Sequence, residues 1–226
     1  MGDGEVKTFF SAINLFPECA QKEKSEHDSE TSTIQTHISK CSLTEVLDAA
    51  TEILPFFDIF GAFIKVCKND FEGNINKLKR KSAATPNAKT FRQLLQYELD
   101  NKLEKKTDSA CIVTLWFKRG LQFIIAMLEG FIQSDNGLLT QDLVRKAYEA
   151  SLKRYHNWIV QKSVTLAAKL APEMSIVISK LCYGKEGLQE QLKDDQRVYL
   201  ERLKPVTIHL HNLLIDLGLD SEERMA

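Results

Sequence analysis

The chain has little excess of charge. Thirty basic residues stand against thirty-one acidic ones in 226, so nucleic-acid binding, which needs a basic excess on one face, has no support in the composition. Its five cysteines, Cys19, Cys41, Cys67, Cys111 and Cys182, are odd in number and widely spaced, with no CxxC pair. They read as reduced, mostly buried thiols, with no Cys/His set suited to zinc. No basic-then-apolar leader opens the chain. The longest apolar stretch, "GLQFIIAMLEGFI", is interrupted by Glu129 and reads as too short to span a bilayer. A cytoplasmic protein is expected. Catalytic signatures are missing too: there is no GxSxG elbow, HExxH helix or glycine-rich phosphate loop. No enzyme activity, metal or cofactor is expected.

Alternating Val/Ile/Thr runs bounded by hairpin turns are absent, as are repeats of solenoid period. What remains is helical periodicity. "SLTE" at Ser42 has the form of a capping box ahead of Leu43, Val46, Leu47, Ala50, Ile53, Leu54 and Phe57. Further helices are predicted over about 62–81, from near Pro86 past Leu103, and over 109–134. After the "SDNG" turn they continue over about 141–155, 159–170, 174–182 and 188–217, with Pro205 kinking or dividing the last. The chain divides into an N-terminal extension over 1–41, a domain over 42–219 and a tail over 220–226. Within the extension, residues 21–40 are rich in Ser, Thr and charge, a composition that predicts a largely flexible segment. "VKTFFSAINLF" ahead of it could form a short docked helix.

Three polar-aromatic stretches stand out. In "DFEGNINK", Asp70, Asn74 and Lys77 are spaced by four and three residues and share one helix face. Alone, that stripe reads equally as a solvated surface. "WFKRGL" places Trp116 among aliphatic residues, where it is either a core indole or a flat platform for a sugar's C–H face. In "AYEASLKRYHNWIVQK", His156 is either structural or a ligand donor. Trp158, Ile159 and Lys162 beyond it suit either interior packing or a membrane interface.

Taken in order, these three segments resemble the glycolipid transfer protein family over roughly 42–219, with "LPFFDIFG" and "KLAP" also similar. The resemblance implies an all-α, two-layer fold of about eight helices enclosing a hydrophobic lipid chamber. It implies binding and intermembrane transfer of glycosphingolipids without catalysis. On this reading Asp70, Asn74, Lys77, Trp116 and His156 hold the head group, and Arg119 supports Asp70. Phe56, Phe57, Ile112, Leu152 and Val164 line the chamber, while Trp158, Ile159 and Lys162 touch membranes transiently. A monomer is expected. A candidate further partner is an endoplasmic-reticulum membrane adaptor recognising Phe56, Phe57 and Asp58. The alternative is a ceramide-1-phosphate carrier or a sphingolipid sensor. Phosphate demands cationic donors, and this chain has neutral Asn74 and Trp116 where the phosphate-binding subgroup is basic. Asn157, Val164 and Lys169 depart from the family pattern.

Overall fold

The computed structural model describes residues 7–19, 41–61, 64–134 and 139–221. The loose segment expected over 21–40 lies outside the described residues. The helices are α1 (Phe9–Ala12), α2 (Leu43–Glu52), α3 (Leu54–Ile59), α4 (Lys65–Ala84), α5 (Phe91–Asp100), α6 (Ala110–Ile132), α7 (Thr140–Ser151), α8 (Trp158–Ala168), α9 (Met174–Leu181) and α10 (Gln189–Asp216), with a 3-10 turn at Lys153–Tyr155. Extended pairing among the described residues is one isolated bridge, Ser42 with Thr90, joining the starts of α2 and α5. The chain is all-α, as the periodicity requires.

Caps account for several of the boundaries. The Ser42 hydroxyl accepts from the Glu45 amide at 3.4 Å and opens α2, while Thr90 and Gln93 form a reciprocal capping box for α5. The first predicted helix is divided at Ile53, with Pro55 in the first turn of α3, a position where its missing N–H costs nothing. Pro205 does not divide the last helix: α10 runs unbroken from Gln189 to Asp216. Its buried partners on both sides of the proline, Leu203, Val206 and Leu210, hold the helix course against the one lost bond.

α6 is the shared core element. α7 and α10 pack along it, α4 and α5 lie against it, and α2 and α3 contact α4. At 23 residues α6 is long and apolar enough to cross a membrane, which corrects the reading of its C-terminal half as too short. Yet 67% of its apolar window is buried inside the bundle, and Lys118 and Arg119 sit in its middle. Glu98, in the last turn of α5, ties three helices at the first turn of α6. The buried carboxylate takes the Lys81 ammonium of α4 at 2.9 Å and accepts the Cys111 amide of α6 at 3.1 Å, a negative group at a helix N-terminus.

One expectation about the N-terminal region changes and another is met. Cys19 and Cys41 are joined as a disulfide with Cα atoms 5.3 Å apart, leaving Cys67, Cys111 and Cys182 as thiols. The segment leading to it is docked. Phe9, Phe10 and Phe16 are buried, Phe10 and Phe16 pack edge-on to Tyr199 of α10, and the Thr8 hydroxyl donates to Asp195 at 2.6 Å. The short helix expected from "VKTFFSAINLF" is α1.

Candidate functional site

A cavity of about 510 Å³ opens between α3, α4, α6, α7 and α8. Its walls are almost wholly apolar, with Phe57, Phe71, Phe123, Leu152, Val160 and Val164 among them. Volume and lining suit an apolar ligand of substantial size. Among the polar or amphipathic groups that reach it are Asp70 from α4, Trp116 from α6 and His156 from the turn before α8.

The α4 stripe forms as its spacing requires, but its members do different things. Asp70 faces the cavity. Asn74 is 6% exposed and its amide donates to Asp70 Oδ2 at 3.4 Å, so it orients the carboxylate from below. Lys77 forms an ion pair with Asp108, Nζ to Oδ1, at 3.0 Å, and this contact holds the Asp108 carboxyl below its usual range. The apolar surroundings raise Asp70's pKa, opposed by Lys77 and by the Asn74 hydrogen bond.

His156 is held from several directions. Its Nδ1 lies 3.0 Å from the Tyr148 hydroxyl, its ring runs nearly parallel to the Trp116 indole with centroids 5.7 Å apart, and its carbonyl accepts from the Gln161 amide at 2.8 Å. Burial, and secondarily the Arg119 charge, lowers its pKa, so the imidazole is neutral at neutral pH. Burial pushes the Tyr148 phenol up to about 12, which keeps it a donor. The Tyr148–Nδ1 contact leaves Nε2 as the ring nitrogen facing a ligand, and it is a donor in the tautomer where the Tyr148 hydroxyl donates to Nδ1. Asn157 caps α8 by accepting from the amides of Ile159 and Val160, which makes the helix start directly after His156.

Arg119, expected as a support of Asp70, has described contacts with the C-terminal segment and two rings. It is 1% exposed, its Nη2 donates to the Ser221 carbonyl at 2.5 Å, and its guanidinium lies 3.5 Å from the Tyr155 ring centre and 4.6 Å from that of Trp116. Lys77 and the Asn74 hydrogen bond both favour the ionised Asp70 carboxylate. Of the expected chamber residues, Phe57, Leu152 and Val164 line the cavity, whereas Phe56 and Ile112 do not. Phe56 packs instead among Phe9, Phe10, Phe57 and Phe60, and Ile112 sits in the first turn of α6, its amide capped by Ser109. Residues the sequence reading missed are Tyr148, Cys67, Ile64, Val66, Phe71 and Phe123 on the walls, with Gln161 and Asp108 behind.

Gly120 explains how α4 comes so close to α6. A Cβ there would fall 2.5 Å from Phe71 Cδ2, and Phe71 is stacked on Phe117 at 5.3 Å. Only a glycine permits that crossing. Trp158 and Ile159 begin α8 at the cavity's edge, 65% and 57% exposed, with Ile159 also lining the cavity and the Lys162 ammonium 4.9 Å from the Trp158 ring centre.

An all-helical bundle with an apolar chamber and a small polar rim defines a helical lipid-holding protein. Residues 41–183 match the family described as Glycolipid transfer protein (GLTP), and the chain belongs to the glycolipid transfer protein family. It is 32% identical over 186 residues to the glycolipid transfer protein of Danio rerio, a match covering 79% of this chain and 89% of the relative. It is 25% identical to glycolipid transfer protein 1 of Arabidopsis thaliana, covering 77% and 84%. The GLTP-fold structure of FAPP2 superposes with a TM-score of 0.74 at 22% identity, covering 99% of this chain and 98% of that one.

Proposed function

We propose that this protein binds glycosphingolipids and transfers them between membranes without chemical change, the sugar held at the rim and the ceramide chains in the chamber. The observation that carries this is the convergence of Asp70, Trp116 and His156 on one apolar cavity. Asp70 accepts from the lipid amide N–H and from sugar hydroxyls, held in place by Asn74. His156 donates from Nε2 to the amide carbonyl. Trp116 offers its remaining aromatic surface to the sugar's C–H face. Lys77, with Asp108, supplies a polar edge for outer hydroxyls. Each methylene taken from water contributes about 0.8 kcal/mol, but a bilayer offers the chains the same environment, so selectivity falls to the rim, where an unmatched buried polar group costs about 1–3 kcal/mol.

Trp158, Ile159 and Lys162 form the surface that meets the bilayer, an indole at the headgroup boundary beside a cation. The near-balanced charge makes that docking weak and reversible. A cytoplasmic, monomeric shuttle fits this design. A ceramide-1-phosphate carrier, the competing reading, needs cationic donors facing the ligand, whereas Lys77 is engaged by Asp108 and Arg119 by Ser221. Adaptor binding through Phe56, Phe57 and Asp58 would require α3 to unwind, because both phenylalanines are buried and Asp58 pairs with Lys68.

The test is movement of labelled galactosylceramide from donor to acceptor vesicles, with mass analysis of the delivered lipid. Unaltered lipid in the acceptors is the expected result. Preferential movement of ceramide-1-phosphate, or a changed mass, would overturn the assignment. Retention of lipid without delivery would assign a sensor instead.

A further inference from the structure

The cation beneath the rim is held from the far end of the chain. α10 stops at Asp216, and Gly218 adopts φ +68°. Its N–H reaches the Ile215 carbonyl at 2.9 Å, and the Leu219 N–H reaches that of Leu214 at 2.7 Å. This left-handed termination reverses the chain and lays Asp220 and Ser221 against the middle of α6. There Asp220 Oδ1 accepts from Lys118 Nζ at 2.7 Å, and the Ser221 carbonyl accepts from Arg119 at 2.5 Å. Asp220 Oδ2 also lies 3.3 Å from His211 Nδ1 of α10, an ion-pair distance without hydrogen-bond alignment. Two hydrogen bonds thus tie a short segment to the middle of α6.

We propose that this C-terminal turn is a strap that positions Arg119 against the ring faces of Trp116 and Tyr155, so that head-group discrimination depends on Gly218, Asp220 and Ser221, none of which lines the cavity. The inference rests on the reading of the rim as a head-group site. Lys118 and Arg119 are consecutive on the central helix, and the Lys118 side chain is 2% exposed. Buried cations need polar partners, and the turn supplies a carboxylate to Lys118 and a carbonyl to Arg119. Arg119 is a long side chain with much rotamer freedom. Tethered, it covers the faces of Tyr155 and Trp116 and fixes the indole beside His156. Released, it leaves the indole free to tilt. Gly218 sets the reversal, Asp220 anchors it on Lys118, and Ser221 delivers the carbonyl, so all three act as positioning residues.

The experiment compares uptake from vesicles of glucosylceramide and of ceramide with identical chains, using the full chain and its variants. Wild type should prefer the glucosylated lipid. Asp220→Asn should cut that preference roughly three- to fivefold, the scale of a lost cation–π arrangement, with ceramide uptake unchanged and Asp220→Glu restoring most of the preference. Gly218→Val should act alike, because a Cβ there meets nothing within 4 Å and only the turn's backbone is strained; it decides the matter where Asp220→Asn does not fold. If wild type shows no sugar preference, the head-group reading fails. If wild type discriminates and folded variants discriminate equally, the strap fails alone. Equal loss of both lipids would reduce the turn to general support of the fold and overturn the positioning role.

Discussion

Trp116 is half-buried, with the Arg119 guanidinium over its ring and the His156 imidazole alongside, so its truncation should disturb the rim more than the core. Trp116→Ala is expected to keep its helicity by circular dichroism while vesicle transfer of glycolipid falls at least fivefold; normal transfer by the folded variant would remove the aromatic platform. His156 gives a pH signature. Burial and then Arg119 hold its folded pKa below the ordinary value of 6.5, so on acidification the unfolded chain takes up the proton first. Stability from this group is full above about pH 6.5 and is lost as pH falls toward the lowered folded value. His209, lowered by burial and then by Arg92, acts in the same direction. Asp70, raised chiefly by burial, acts in the opposite direction only as pH falls through its own raised value. The Tm should therefore drop between pH 7 and about pH 5.5, and His156→Gln should drop less; parallel curves would refute the buried neutral imidazole. Asp70 was legible from helical spacing together with family resemblance, and Trp116 and His156 from the resemblance. Tyr148, Asp108 and the partners of Arg119 were not, since each contact joins elements whose approach no local pattern encodes.

At the scale of elements, the crossing of α4 over α6 turns on one missing Cβ. Gly120→Ala gains about 1 kcal/mol of helix propensity but forces Phe71, pinned against Phe117, off its position at an overpacking cost of about 1–3 kcal/mol. The expected result is a lower Tm together with weaker glycolipid uptake, because Asp70 adjoins the displaced ring; a raised Tm would show that the crossing relaxes freely. Helix existence was readable throughout, from the Ser42 cap to the periodicity of α10. Interruptions were less so. The division at Ile53 and the 3-10 turn before His156 follow from packing, and Pro205 stays within a helix because neighbouring buried contacts outweigh one absent hydrogen bond.

For the whole molecule, the cavity mouth and the exposed apolar residues of α8 share an edge. Trp158, Ile159 and Leu166 of α8 and Leu170 just beyond it are all exposed, while the chain's net charge is only −1, so the proposed docking would rest on shallow apolar insertion. Trp158→Ala is expected to lower vesicle binding and transfer rate severalfold without altering sugar preference for a soluble short-chain glycolipid. Unchanged vesicle binding would move the docking face elsewhere. The Cys19–Cys41 bond belongs to this scale too, and so escaped a reading based on CxxC spacing: it fastens the docked α1 segment to the start of the domain across 22 positions.

The two tryptophans are distributed in a way that makes the protein its own optical instrument. One sits at the rim beside an imidazole and beneath a guanidinium, the other stands in solvent at the start of α8. With Trp158 changed to Phe, emission reports loading of the chamber alone; with Trp116 changed to Phe, it reports contact with the bilayer alone. Recorded under the same vesicle conditions, the two variants would separate the time course of the proposed cargo release from that of the proposed membrane contact.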